Sequence, residues 1–364
     1  MSATHKPEVV ELLSRMVSIP SLSHHERELA DFVQELIRSA GIRTERHEDN
    51  VFGWIGDGPD CLLLNSHLDV VPPSIGHPFD PFDPVIDDGR LYGRGSVDAK
   101  ASGAAMLAVL LQLHAAGWTP PNGRLVVALT ACEETGGDYN GLEAVRPQLP
   151  PVTSAIVGEP TDLQPCLAQK GLLILRLTAR GRSAHAARPH LGANAILVAM
   201  EDIERLGMLR FEEEPYLGSP TLTVTTIQGG SARNVVPETC EFYLDIRTTP
   251  RYAHEDVIQL IRETVQSKVE VHSRRFVPVS TPESTRIARA CLRALPDAAP
   301  VGSPTASDWI FLHDVPTVKL GPGSSELSHT PRESIATAEV RRAVDVYREV
   351  VLTYFGTAPA SIQN

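Results

Sequence analysis

The feature that most constrains this chain is a series of short, nearly unbroken apolar runs set between amphipathic helical segments. "CLLLNSH", "RLVVALTA" and "SAIVGEP" are strand-length, and none alternates apolar with polar residues as a half-exposed strand would. Strands of that kind are buried on both faces, which calls for a mostly parallel sheet covered by helices. The covering helices are legible in "PEVVELLSRMVSI", "ERELADFVQELIRSAG" and "ASGAAMLAVLLQLHAAG", the last stopped by Gly117 as a C-cap. Residues 1–170 therefore read as the first part of an α/β unit.

From Gly171 the texture changes. "LLILRLTARG" alternates, "ANAILVAMEDIERLG" is helical, "TLTVTTIQGG" and "CEFYLDIRT" are strands, and "HEDVIQLIRETVQSKV" is helical before "EVHSRRFVPV". The order β-α-β-β-α-β is the split βαβ pattern of an α+β, ferredoxin-like sandwich, here over 171–280. Residues 281–364, with "VPTVKLGPGS" and a closing helix "AEVRRAVDVYREVVLTYFG", return to the first texture. The expectation is an α/β fold with an inserted domain.

Composition closes off other classes. The 364 residues carry 45 acidic against 33 basic side chains, a formal charge of −12, with no Lys/Arg-rich block, so neither nucleic acid nor an anionic membrane is an expected partner. The opening "MSATHKPEVVELLSRM" lacks the basic and long apolar regions of a signal peptide, and no window approaches the about 18 apolar residues that span a bilayer. The expected location is cytoplasmic. Cys61, Cys132, Cys166, Cys240 and Cys291 are scattered, odd in number and free of C-x-x-C spacing, which argues against a disulfide framework and a thiolate metal site.

Histidines and carboxylates recur where the apolar runs end: His67 and Asp69 in "SHLDVVP", Asp98 in "GRGSVDAK", Glu133 and Glu134 in "CEETGG", Glu159 in "GEPT", and His329 in "GPGSSELSHTP". Each alone has an ordinary reading: a strand-end pair, a helix cap at Asp98, a solvated acidic turn at Glu133–Glu134, a turn carboxylate at Glu159, an exposed loop histidine. Together they occupy the carboxyl ends of the strands, where open α/β sheets build their sites. Two histidines and three carboxylates (His67, Asp98, Glu134, Glu159, His329) suit two divalent cations if one carboxylate bridges, zinc first, with cobalt or manganese as alternatives. Asp69, two residues from His67 and on the same strand face, is expected to accept the imidazole N–H and fix its tautomer. Glu133, pointing away from Glu134, is the expected general base.

These motifs, with "GRSAHAARP" and "NVVPE", resemble the acetylornithine deacetylase and succinyl-diaminopimelate desuccinylase family, which also contains exopeptidases, over essentially the whole chain. The resemblance implies a zinc-exopeptidase-like fold, His67 and Glu159 on one metal, Glu134 and His329 on the other, Asp98 between them, and a cis peptide after Asp98. It further implies that His185 stabilises an oxyanion, commonly in the partner subunit of a homodimer. Asn234 and Arg247 match substrate-carboxylate positions, and the backbone from Gly321 to Gly323 is expected against the substrate. The family's usual glycine after the "DxK" lysine is Ala101 here, and Arg233 is not a fixed family residue. "SVDAK" and the "GPGS…H" spacing lie closer to the deacetylases. The implied reaction is hydrolysis of a small N-acylated, N-acetylornithine-like amino acid; the alternatives are a di-zinc exopeptidase or the desuccinylase. A non-catalytic binding protein is disfavoured by the retained Glu133. A dinucleotide reading of "GRLYGRGSVD" lacks the strand-turn-helix context and the later acid.

Overall fold

The computed structural model describes residues 8–135 and 139–357; Gly136 and Gly137 of "EETGG" lie outside them. The chain divides into two compact units, Met1–Leu167 with Thr281–Val301 and Ser307–Asn364, and Ala168–Ser280 with Gly302–Ala306.

In the first unit, Leu62, Leu63 and Leu64 are fully buried on the strand Asp60–His67, so both faces of that strand are covered. It pairs in parallel with Gly123–Thr130 on one side and Ser154–Val157 on the other, and Thr317–Lys319 extends the parallel set beyond Ser154–Val157. The fold is a mixed α/β one with this central, mostly parallel sheet flanked by helices. At one edge, Arg43–His47 and Asn50–Ile55 form an antiparallel hairpin that continues from Gly123–Thr130. The helix Lys100–Ala115 is apolar nearly all round and buried through most of its length, as a helix enclosed by a sheet and other helices must be. It ends at Ala115, two residues before Gly117, whose φ of +69° turns the chain so that Trp118 N donates back to Leu113 O at 3.0 Å. Tyr347 on the last helix, Thr337–Tyr354, donates to Leu320 O at 2.7 Å and ties that helix to the end of the Thr317–Lys319 strand. No helix among the described residues is long and apolar enough to cross a membrane. All five cysteines are free and buried.

The second unit is a four-stranded antiparallel sheet in the order Thr221–Gly229, Thr239–Thr248, Gly171–Arg180, Lys268–Phe276. Alternation places Leu173, Leu175 and Leu177 on one face with Phe242, Leu244 and Ile246, where they pack with Ala199 and Leu206 of the helix Ala195–Gly207 and Val257, Ile258 and Ile261 of His254–Thr264. The second helix is shorter than its sequence pattern suggests. Buried Asp202 accepts the amides of Gln266 and Ser267 at 2.9 and 2.8 Å, which turns the chain out of the helix and into the strand that starts at Lys268.

Candidate metal centre

Parallel register is what assembles the site. His67 is paired with Thr130, so two strands end level and the segment 131–134 emerges beside His67–Asp69. Asn65 is paired with Val157, which brings Gly158 and Glu159 alongside, and Gly158 N donates to Asn65 O at 2.7 Å. Ser66, which carries no signal in the sequence, donates to Gly158 O (2.9 Å) and Ala99 O (3.2 Å) and so holds the Glu159 and Asp98 segments to one strand end. The Asp98–Ala99 peptide is cis. Asp98 does not cap the following helix, which begins at Lys100 with Ala99 as its N-cap and no side-chain cap.

The side chains converge. His67 Nε2 lies 3.4 Å from Asp98 Oδ1 and 3.9 Å from Glu159 Oε1, and His329 Nε2 lies 3.5 Å from Asp98 Oδ2 and 2.9 Å from Glu134 Oε1. Donor atoms of His67, Asp98 and Glu134 all fall within 4.8 Å of one another, and so do those of His67, Glu133 and Glu159. Proximity therefore sets Glu133 among the candidate ligands as well. His329, half exposed, has a φ of +62°, an uncommon conformation for a residue with a Cβ.

Asp69 does something other than the sequence suggests. His67 Nδ1 is 2.9 Å from the Asp69 backbone carbonyl and 3.5 Å from its carboxylate, so the carbonyl is the acceptor that fixes the tautomer. The carboxylate instead accepts the amides of Glu133 (Oδ1, 3.0 Å) and Glu134 (Oδ2, 3.0 Å) and the Ser23 hydroxyl (2.8 Å). One buried aspartate therefore orients the histidine and anchors both glutamates. The preceding residue, Cys132, turns with φ +59°, and its amide is received by the buried Glu26 at 3.1 Å.

Electrostatics show the strain of gathering these charges. Burial raises the Glu133 carboxyl well above its ordinary value, reinforced by repulsion from Glu159. Burial likewise pushes Glu159 up to about 8, only partly offset by His67. Burial alone would lower His67, but Asp69, Asp98 and the glutamate charges outweigh it and hold the imidazole above its usual value. Asp98 is the reverse, burial being overcome by His67 so that its carboxyl is lowered. With Nδ1 donating to Asp69 O, the buried Nε2 faces carboxylate oxygens and has no hydrogen-bond partner among the described residues, and giving up its proton would leave a lone pair there. An imidazole nitrogen and several carboxylates left facing one another are a donor set that a divalent cation would satisfy.

The remaining expected residues fall elsewhere. Gly321 and Gly323 pack against the same loops: a Cβ at Gly321 would meet Ser102 Oγ at 2.3 Å and Glu159 O at 2.4 Å, and one at Gly323 would meet Val97 Cγ2 at 2.2 Å. In the second unit His185 is exposed, its Nδ1 accepts from Ala187 N at 3.0 Å, and Ala186 N donates to Asn234 O at 2.9 Å, so His185 and Asn234 share one end of the sheet. Arg247 is not brought to them. It lies eight residues along the strand from Thr239, roughly 27 Å at ~3.4 Å per residue, and forms a two-pronged pair with Asp245 at 2.8 and 3.1 Å. Buried Asp308 was not legible in the sequence. It accepts from Asn140 (2.7 Å) and Thr130 (3.2 Å), and burial pushes it up to about 6. Glu333, equally silent, receives the amides of Val97 and Asp98.

Comparison with known proteins agrees with this architecture. The profile of Peptidase family M20/M25/M40 matches residues 63–353. An acetylornithine deacetylase of Erwinia tasmaniensis is 30% identical, the alignment covering 96% of this chain and 98% of that one. A probable carboxypeptidase of Aspergillus terreus is 29% identical, covering 92% and 84%. A Bacillus subtilis structure described as a dinuclear metal binding peptidase of the M20 family superposes with a TM-score of 0.76 at 14% identity, covering 96% and 98%. With the profile matched over most of its length, the chain belongs to Peptidase family M20/M25/M40 and is a metal-dependent hydrolase of that family.

Proposed function

We propose that this protein hydrolyses the amide bond of a small N-acylated amino acid of the N-acetylornithine kind, releasing the free amino acid and acetate. The observation that carries the reading is the Asp69 clamp, which holds Glu133 beside the His67, Asp98, Glu134, Glu159 and His329 cluster. End-to-end similarity to an acetylornithine deacetylase supports the substrate class.

In this reading His67 and Glu159 would hold one divalent cation and Glu134 and His329 a second, with Asp98 available to both, zinc being the first candidate. Such cations, when bound, polarise the scissile carbonyl and lower the pKa of the attacking water. Glu133 takes the proton from that water at a carboxylate oxygen and returns it to the departing amine nitrogen as the C–N bond breaks. Because Nδ1 of His185 accepts the Ala187 amide, the neutral ring carries its proton on Nε2, where it can donate to an oxyanion. Asn234, on the neighbouring segment, would bind the amino-acid carboxylate, and the Gly321–Gly323 backbone would lie against the substrate. Arg247, at the far end of its strand and paired with Asp245, would not share that carboxylate site with Asn234 of the same subunit. A homodimer joined through the inserted unit is supported by its exposed edge strand Thr221–Gly229 and the exposed Leu197 and Met200. The proposed location is cytoplasmic.

Turnover of N-acetylornithine, N-acetylcitrulline, N-acetyl-lysine, N-succinyl-diaminopimelate and simple dipeptides, with and without chelator, tests the reading. Chelator-sensitive hydrolysis of an acetylated amino acid is expected. Turnover of dipeptides alone would replace it with the exopeptidase reading, which similarity to the probable carboxypeptidase favours.

A further inference from the structure

We infer that Glu333 is a positioning residue that joins the Asp98 and His329 segments of the cation cluster, and that Arg94 balances its charge so that it can do so. The inference rests on the two-cation reading of that cluster. Glu333 is four residues beyond His329 and directly precedes the strand Ser334–Ala336, which pairs antiparallel with Arg90–Tyr92. That pairing, extended by Gly93 N donating to Glu333 O at 3.3 Å, sets the Glu333 side chain under the turn that carries Asp98. Its Oε1 accepts both the Val97 and Asp98 amides at 3.2 Å, and its Oε2 accepts from Arg94 Nη1. Both side chains of this ion pair are 1% exposed.

The chemistry explains why a carboxylate should sit there with a guanidinium attached. Two consecutive amides pointing one way need a strong acceptor, and an ionised carboxylate is stronger than a neutral carbonyl. A lone carboxylate, however, would add negative charge beside Asp98, Glu134 and Glu159. Arg94 cancels that charge locally, so the grip on the turn does not deepen the repulsion within the cluster. Because the same residue leads into the His329 loop, displacement of Glu333 would move a donor on each side of the cluster.

The test is zinc binding by the full-length protein, followed by calorimetry and by metal content after dialysis, with thermal melting of the metal-free form measured in parallel. Arg94→Met with Glu333→Leu removes the acceptor and keeps apolar volume; Arg94→Gln with Glu333→Gln removes both charges and keeps a carbonyl acceptor for the two amides. Expected is a 10–100-fold loss of affinity for the weaker-held zinc in the Met/Leu variant, the range typical of groups that orient metal ligands, and recovery of most of it in the Gln/Gln variant. A folded Met/Leu variant that binds two zinc ions as tightly as the wild type overturns the inference. If that variant does not fold, Glu333→Asp serves, since its shorter side chain keeps the charge for Arg94 but withdraws from the amides; unchanged affinity there is equally fatal. Wild-type protein that binds no zinc would instead remove the two-cation reading itself.

Discussion

At the scale of single residues, the site depends on which atom of each acidic side chain is already committed. Glu133 has its backbone held by Asp69 and its carboxyl free, and burial with repulsion from Glu159 raises it toward the basicity a proton carrier needs. Glu133→Gln is expected to lower kcat by about 10²–10⁴-fold while metal analysis still finds the wild-type cation content. Asp69→Ala differs, because it strips the acceptor from two amides and a hydroxyl at once. It should cost about 2–4 kcal/mol in chemical unfolding, from buried donors left without a partner, and weaken cation binding as well. Asp69→Ala protein as stable as wild type would show that the clamp is dispensable. The sequence placed Asp69 next to the site but gave it the wrong acceptor atom, since hydrogen-bond choice within a strand turn follows from backbone geometry that residue identity does not encode.

Whole elements were legible in proportion to how apolar they are. The buried strands Asp60–His67, Gly123–Thr130 and Ser154–Val157 announce themselves as unbroken runs. The edge strand Arg43–His47 is polar along its length and carries no such signal, and the short strands Val85–Asp87 and Arg90–Tyr92 are equally quiet. How elements are fastened is testable. Asp60 opens its strand by accepting from Thr153, Arg286 and Tyr354, which fastens it to the helices Arg286–Ala294 and Thr337–Tyr354. Burial would raise its carboxyl, yet the Arg286 and Thr153 hydrogen bonds outweigh that and leave it lowered. A lowered carboxyl contributes stability above its unfolded pKa of about 3.9 and loses it as pH falls through the folded value. Asp60→Asn should therefore cost about 0.5–1.5 kcal/mol near pH 7, and melting curves of the two proteins should converge below about pH 4. Gly321→Ala tests the close approach of another element. Its Cβ would press on Ser102 and the Glu159 backbone, so a loss of about 1–3 kcal/mol is expected, together with weaker cation binding because Glu159 is displaced.

At the scale of the molecule, catalysis is proposed to draw His185 from an inserted unit of another subunit. His185→Ala should lower kcat and leave cation content intact. Mixed dimers of His185→Ala with a Glu134→Ala chain should regain part of the activity; if they remain dead, His185 serves its own subunit. The sequence by itself determined the layered α/β character, the separate α+β unit and the residue types at the strand ends, because burial periodicity is local and each apolar run states its own environment. It could not determine that Ser66 would bind two neighbouring segments, that Asp69 would hold both glutamates, or that Glu333 would reach Arg94 239 positions earlier in the chain. The first two contacts exist only once parallel register brings strand ends level, and the third only once Ser334–Ala336 pairs with Arg90–Tyr92; register is settled by the packing of a whole sheet rather than by any stretch of chain within it.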